Sequence, residues 1–463
     1  VLDLQADITG LRGADYNPRH ITPADLETLA ESIKTLGLVK PLIVRKDLLV
    51  AGHQRTKALR KLGIDRAAVF RLGADTTVYD EIRFNQLHNG TDMDSGDEEA
   101  IIAGGFDSPG FKVVPPSRII GNHRARLANV RAEICRMITK FGPWGGVVAT
   151  MDGVVIHAAQ YALAAAVTRT PLTVHVLPPE KVAAAHAFLG KTYGVFSYDH
   201  LERHTYVQTL AQMNRLRESD NPDGRTLKST LYETLVIPYA VTHRAERFLD
   251  FGSGHGDYAA AMRGRGYRFH DVELFRRSRT TAIDMRAVNG MIDTLCADLS
   301  AYGPYDNVIL DSVLNSVDSP AAEDAVLTCV NAFTRDGGTV FFSGRPREEE
   351  ESRNRMTKLV GRGGQRYVEF LDEHGFTALY RQGKWFYQKF HSAQQVKDLA
   401  ARFGFRITKH VHKGCSWQVQ AVKTETLPAQ QIADAFAFEF NLPVSDTRRL
   451  GRHEDVQHAY AQP

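Results

Sequence analysis

The stretch Phe248-Leu249-Asp250-Phe251-Gly252-Ser253-Gly254-His255-Gly256-Asp257 constrains this chain more than any other. An apolar run ends in an acid, glycine then occupies every second position, and Tyr258-Ala259-Ala260-Ala261-Met262 opens a helix. Each part has a physical use. Glycine lets backbone approach a ligand closely and take positive φ. A helix start presents unpaired N–H groups. Asp250, at the carboxyl end of the strand, can accept from an ammonium group. A dinucleotide site would carry G-x-G-x-x-G, but the last glycine here comes one residue early.

The sequence that follows extends the pattern. Tyr267 to Leu274 reads as a second strand with Glu273 at its end, 23 positions after Asp250. An acid at about that distance binds ribose hydroxyls in a doubly wound sheet; Asp271 is the competing choice. Thr294 to Asp298 reads as a third strand ending in an acid, Tyr305 to Asp311 as a fourth, and Gly337 to Phe342 as a fifth after a helix.

Glycine turn, three strand-end acids and a Gly-Gly strand, in this order, resemble class I S-adenosylmethionine-dependent methyltransferases. The resemblance implies a Rossmann-like α/β sheet. It implies that Asp250, Gly252, Ser253, Gly254, Gly256, Glu273, Asp298 and Asp311 hold S-adenosylmethionine, with Asp298 beside the adenine. The loop after the fourth strand faces the acceptor in such enzymes, so Asp311, Ser312 and Asn315 are the catalytic candidates. Asp311 either orients or deprotonates the nucleophile, or serves as a capping acid. DNA amino-methyltransferases carry an Asp/Asn-Pro-Pro-aromatic loop here that clamps a flipped base. This chain has Asp311-Ser312-Val313-Leu314-Asn315 and no Pro-Cys, so neither standard route of DNA methylation is supported.

Near the start, Thr22 caps and Pro23 opens a helix with Leu26, Leu29, Ile33 and Leu36 on one face. Pro41 to Arg45, Leu48 to Val50 and Ala67 to Phe70 read as strands, with a helix opening at Gly52-His53-Gln54-Arg55. Asn17-Pro18-Arg19, Gly37 to Val44 and Ala51 to Ala58 together resemble the ParB/sulfiredoxin superfamily. The resemblance implies a nucleoside triphosphate, CTP or ATP, with Arg19, Gly52, His53, Gln54 and Arg55 at its phosphates. The chemistry agrees: glycine admits phosphate, the helix start donates, and Arg55 offers a two-pronged cation. The plainer alternative is a capped helix with a surface arginine. Residues 1–134 hold no cysteine, which excludes sulfiredoxin chemistry, and the His-Gln pair departs from the glutamate-containing turn of partition ParBs.

The order of elements from Val39 to Phe70 returns between Val113 and Val176, where Ile156-His157-Ala158-Ala159-Gln160 replaces Gly-His-Gln-Arg. This reads as a degenerate second copy. The acidic run Thr91 to Glu99 is a linker. The expected domains are therefore 1–90 (ParB-like), 91–112 (linker), 113–225 (second copy and helical connector), 226–425 (methyltransferase) and 426–463 (short helix and tail). The fold class is α/β, with an α+β N-terminal domain.

Composition bounds the rest. The 463 residues exceed one ordinary core, and a net charge of +3 gives no uniformly basic surface. Cys135, Cys296, Cys329 and Cys415 are too scattered for a zinc ribbon or a disulfide framework. A cytoplasmic setting is expected, with no membrane segment and no metal; His410 and His412 share a strand face but lack a third ligand. Arg345 to Arg366 and Lys384 to Phe390 offer a basic, aromatic wall for nucleic acid, or else a solvated mixed-charge helix and an apolar strand. The expected function is a methyltransferase with a nucleotide-binding module acting in DNA modification. The expected partners are nucleotide and DNA, with a homodimer left open. The rivals are a nucleotide-gated DNA clamp that uses the methyltransferase fold as a scaffold, and a ParB-like kinase or nuclease.

Overall fold

The computed structural model describes residues 1–14, 17, 19–90, 99–121, 128–191, 193–196, 228–276, 283–349, 368, 370–381, 384–413, 415–445 and 448–462. The linker at 91–98 and the basic run beyond residue 349, up to 367, lie outside them, as does the connector at 197–227. The chain forms two compact units: Val1–Thr205 with Glu350–Gly383, and Tyr206–Glu349 with Lys384–Pro463.

In the first unit, β1 (Leu2–Asp7), α1 (Pro23–Leu36), β2 (Leu42–Arg45), β3 (Leu48–Ala51), α2 (His53–Lys61), β4 (Arg66–Arg71) and α3 (Val78–Gly90) follow in order. Helix α1 starts where the Thr22 hydroxyl accepts from the Asp25 N–H at 3.1 Å, and ends at Gly37, whose φ of 79° favours glycine. The sheet runs β1-β4-β2-β3, with β1/β4 and β2/β3 antiparallel and β2/β4 parallel.

Then come β5 (Gly110–Val114), α4 (Ala128–Phe141), β6 (Val147–Ala149), β7 (Val155–His157), α5 (Ala159–Val167), β8 (Leu172–Val176) and α6 (Pro179–Leu189). Their sheet runs β5-β8-β6-β7, antiparallel, parallel, antiparallel, the same order and sense as β1-β4-β2-β3. Both α2 and α5 begin from a left-handed residue: Gly52 at φ 97° in one and Ala158 at φ 65° in the other.

The second unit contains a helix reaching α7 (Ile237–Thr242), β9 (Arg247–Phe251), α8 (Asp257–Gly264), β10 (Arg268–Val272), α9 (Met285–Tyr302), β11 (Tyr305–Leu310), α10 (Pro320–Phe333) and β12 (Thr334–Pro346). It continues with β13 (Lys384–His391), α11 (Ala393–Arg402), β14 (Phe405–Lys413), β15 (Ser416–Lys423), α12 (Ala429–Glu439) and α13 (His453–Ala461). One path through the sheet runs β10-β9-β11-β12-β15-β14, with its first four strands parallel and the last two pairings antiparallel, and β13 pairs in parallel with the end of β12, Arg345 opposite Phe390. The chain leaves β9 to one side for β10 and returns to the other for β11. That reversal opens a crevice at the carboxyl ends of the strands.

Every residue of β9 is buried, so both faces of the sheet are covered. Phe248 faces α7 and stacks on Phe269 at 4.5 Å. Phe251 faces the other way, 5.5 Å from Phe333 of α10 and 6.2 Å from Phe440. Residues 429–461 are therefore not a tail: α12 packs on α10, and α13 packs on α9 and α12, completing the second face.

One strand and one site residue are corrected. Residues 294–298 are not a strand but part of α9, capped by Asp284 and burying Val288, Ile292, Leu295 and Leu299 at helical spacing. Asp298 accordingly does not line a ligand crevice. It accepts from Arg247 Nη2 at 2.7 Å and lies 3.3 Å from His270 Nδ1. Arg247 begins β9, so Asp298 sits a strand length, roughly 13 Å, from the glycine turn. Asp298→Ala leaves the Arg247 cation buried without its partner. The expected result is a loss of about 3–5 kcal/mol in urea unfolding, with donor affinity of the folded protein unchanged.

Candidate active site

At the end of β9 the backbone turns through Gly252, Gly254 and Gly256, at φ 84°, 61° and 70°. Two of them also lack room for a side chain. A Cβ on Gly252 would lie 2.3 Å from Val313 Cγ2, and one on Gly256 2.6 Å from Asp271 Oδ2. The turn is tied to β10: the Gly252 and Ser253 N–H groups donate to Val272 O at 2.8 and 3.2 Å. Gly254 N–H donates to Glu273 Oε2 at 2.8 Å, and Phe275 N–H to Oε1 at 2.8 Å. Ser253 Oγ is 3.4 Å from Asp271 Oδ2, and Asp271 pairs with Arg263 at 2.5 Å.

Asp250 is 3% exposed. Its Oδ2 accepts from the Tyr232 hydroxyl at 2.6 Å, and its Oδ1 is buried with no hydrogen-bond partner. Burial pushes this carboxyl well above the usual carboxylate range; Tyr232 opposes the shift, while Asp311, Asp271 and Glu273 add to it. Asp250, Asp271, Glu273 and Asp311 thus lie near one another at the carboxyl ends of β9, β10 and β11.

Asp311 follows β11 directly and is fixed by hydroxyls. Ser343 Oγ donates to its Oδ1 at 2.8 Å, Ser312 Oγ lies 3.2 Å away, and the Ser312 N–H donates to Ser343 Oγ at 2.9 Å. Ser312 is a non-glycine residue at φ 61°, a conformation retained where surroundings enforce it. Asn315, half-buried, accepts through its carbonyl from the Lys389 N–H at 3.2 Å. Among the described residues, no group of three or more His, Cys, Asp or Glu side chains could hold a metal ion.

Two participants escaped the sequence reading. Tyr232 carries no local motif. Glu439, at the end of α12, is buried; burial raises its carboxyl to about 8, and the charges of Asp318 and Glu273 push the same way. No local motif marks it, because a distant helix brings it there.

In the first unit, a pocket of about 920 Å³, including its open mouth, is lined by Arg19, Lys40, Gly52, Gln54, Arg55 and Lys191, among others. Gln54 Nε2 donates to Arg19 O at 2.9 Å. Arg55 donates to Lys40 O at 3.3 Å and to His88 Nδ1 at 2.5 Å, while His88 Nε2 donates to Pro41 O at 3.1 Å. His53 lines the same pocket. Its buried Nε2 accepts from the Ala14 N–H at 3.1 Å, and burial lowers its pKa to about 4, leaving it neutral at pH 7.

Glu439 yields a pH test. Its proton is held from the model-peptide value of 4.5 up to about 8 in the fold. The stability this contributes is complete below the unfolded value and is lost as pH rises through about 8. Glu439→Gln is expected to melt with the parent at pH 4 and above it at pH 8.5 in thermal scans.

A model of the methyltransferase domain family matches residues 203–410, and one of the ParB N-terminal domain matches residues 4–79. No curated protein matches. Similar solved structures include 1,6-didemethyltoxoflavin-N1-methyltransferase of Burkholderia thailandensis: 15% identity, 42% of this chain, 78% of that one, TM-score 0.28. An S-adenosylmethionine-dependent methyltransferase of Clostridium acetobutylicum aligns at 10% identity over 43% of this chain and 93% of its own, TM-score 0.31. The PH0226 protein of Pyrococcus horikoshii aligns at 14% over 47% and 100%, TM-score 0.33. The chain is a fusion of a ParB N-terminal domain with a methyltransferase domain.

Proposed function

We propose that this methyltransferase takes its methyl group from S-adenosylmethionine, binds a nucleoside triphosphate in its N-terminal module, and acts in nucleic acid modification. Asp250 carries the donor assignment. It is a buried acid with one oxygen unpartnered, beside a turn whose three glycines hold positive φ. Such an acid, crowded by other carboxylates, is relieved by a cation. The residues fit a ligand with an ammonium at one end and a ribose at the other.

Bound there, S-adenosylmethionine supplies a methyl group on a sulfonium, open to in-line attack. The chain's own part is positioning. Asp250 takes the ammonium, the glycine turn lies under the ligand, and Glu273 receives the sugar hydroxyls. Asp311, held by Ser343 and Ser312, orients the acceptor or accepts its proton. The basic pocket around Gly52 and Arg55 supports the nucleotide reading. Nucleic acid as the setting rests on the company of a ParB N-terminal domain, an association at the level of family. The second sheet of the first unit we read as a copy that kept its backbone and lost phosphate chemistry: Ala158 and Tyr161 stand where Gly52 and Arg55 stand in the first.

Titration calorimetry with S-adenosylhomocysteine is expected to show binding by the parent and a loss of at least about tenfold in Asp250→Ala. No uptake by the parent overturns the donor assignment. Mass spectrometry of DNA from cells with the parent or Asp250→Ala then tests the acceptor: a methylated base confined to the parent is expected, and identical DNA excludes it. Separately, Arg55→Ala is expected to weaken CTP or ATP binding about tenfold or more. Failure of the parent to bind either nucleotide removes that part of the proposal.

A further inference from the structure

The helix leading to β9 is not α-helical throughout. Tyr232–Val236 form a π turn, in which the Ile237 N–H bonds to Tyr232 O, five residues back. The cause lies in the sequence. Pro238 has no N–H, and its ring crowds the carbonyl four residues earlier, at Thr234. Widening the preceding turn relieves that crowding, and such π turns occur frequently at functional sites.

The widened turn carries Tyr232 into the acid cluster. The residue is 1% exposed, and its hydroxyl donates to Asp250 Oδ2 at 2.6 Å. Its ring stacks on Tyr258 at 4.2 Å with planes 14° apart. Tyr258 is itself fixed: its hydroxyl accepts from the Ser229 N–H at 2.9 Å and donates to Glu233 Oε1 at 3.0 Å. The phenol therefore has one orientation and one acceptor, and leaves Asp250 Oδ1 open.

We infer that Tyr232, set in place by the π turn before Pro238, is a positioning residue that aims Asp250 at the cationic amino-acid end of the methyl donor. The inference rests on the donor reading above and adds a residue to it. Burial acts against a charged Asp250, as do Asp271 and Glu273 from β10 and Asp311 after β11. From the leading helix come Tyr232 and Glu233, and from α8 comes Tyr258. The Tyr232 hydroxyl, donating to Oδ2, favours the ionised carboxylate against that burial and those acids. Without it, the proton returns at a higher pH and the site loses its hold on a cation.

The test is titration calorimetry of the full chain with S-adenosylhomocysteine between pH 5.5 and 8.5, comparing the parent with Tyr232→Phe. This variant keeps the ring stack and removes the donor atom. About tenfold weaker binding at pH 7 is expected, with the acidic limb of the binding curve moved up by about one pH unit. A merely structural role would leave that limb in place. Pro238→Ala keeps every side chain of the cluster and frees the helix to regain α geometry. It is expected to weaken binding in the same sense, and it decides the matter should Tyr232→Phe fail to fold. Parent binding with unchanged affinity and pH profile in the variants overturns the inference and leaves the donor reading standing. A parent that binds nothing overturns both.

Discussion

A carboxylate sealed at the end of an interior strand is the constraint on which the methyltransferase unit depends. Ionised, Asp250 costs several kcal/mol to hold away from water, and three further acids raise that cost. The structure offsets part of it with one phenol and leaves one oxygen bare. Neighbouring features serve the same corner. Glycines allow the turn to pass close to Val313 and Asp271, and β10 ties the turn down through Val272 and Glu273. Ser343 links the fourth strand's acid to the fifth strand. The result is an acid corner held by a network of hydrogen bonds, in keeping with the principle that a site positions best when its supporting shell is itself fixed.

Negative charge at the carboxyl edge is balanced by apolar packing behind it. Phe251 is enclosed by Phe333 and Phe440, and Phe333 stacks on Phe436 at 5.4 Å. The acids therefore stand on a floor that excludes water from below. At the amino end of the same strand, Arg247 contacts Asp298, the Tyr302, Gly303 and Pro304 carbonyls, and the Tyr305 ring. One strand thus bears at its beginning a buried cation paired with Asp298, and at its end a buried acid with one bare oxygen. The first serves the fold and the second is left for a ligand.

Local chemistry was legible in the sequence, and tertiary assembly was not. The glycine turn, the Glu273 strand end and the Thr22 cap are written in neighbouring residues, because positive φ and capping are short-range demands. Asp298 was misplaced because Thr294 to Asp298 is a short apolar run that suits strand or helix. The longer spacing Val288, Ile292, Leu295, Leu299 decides it. His53 sits in a turn that suggests phosphate, but its partner is Ala14, 39 residues away. Glu439 and the Tyr232 hydroxyl were invisible for the same reason: each meets the site through contacts far along the chain. Pro238 was the available signal for Tyr232, since a proline inside a helix must disturb the turn before it.

Residues 429–461 follow every strand of the sheet in chain order, yet they cover one of its two faces. On the ribosome, the parallel core and its acid corner emerge while Phe251 and Phe333 still lack the aromatic lid that α12 brings. The apolar face beneath the acid corner is therefore closed only once α12 has been made. A polypeptide stalled before that point exposes a greasy sheet face, which chaperones and proteases recognise.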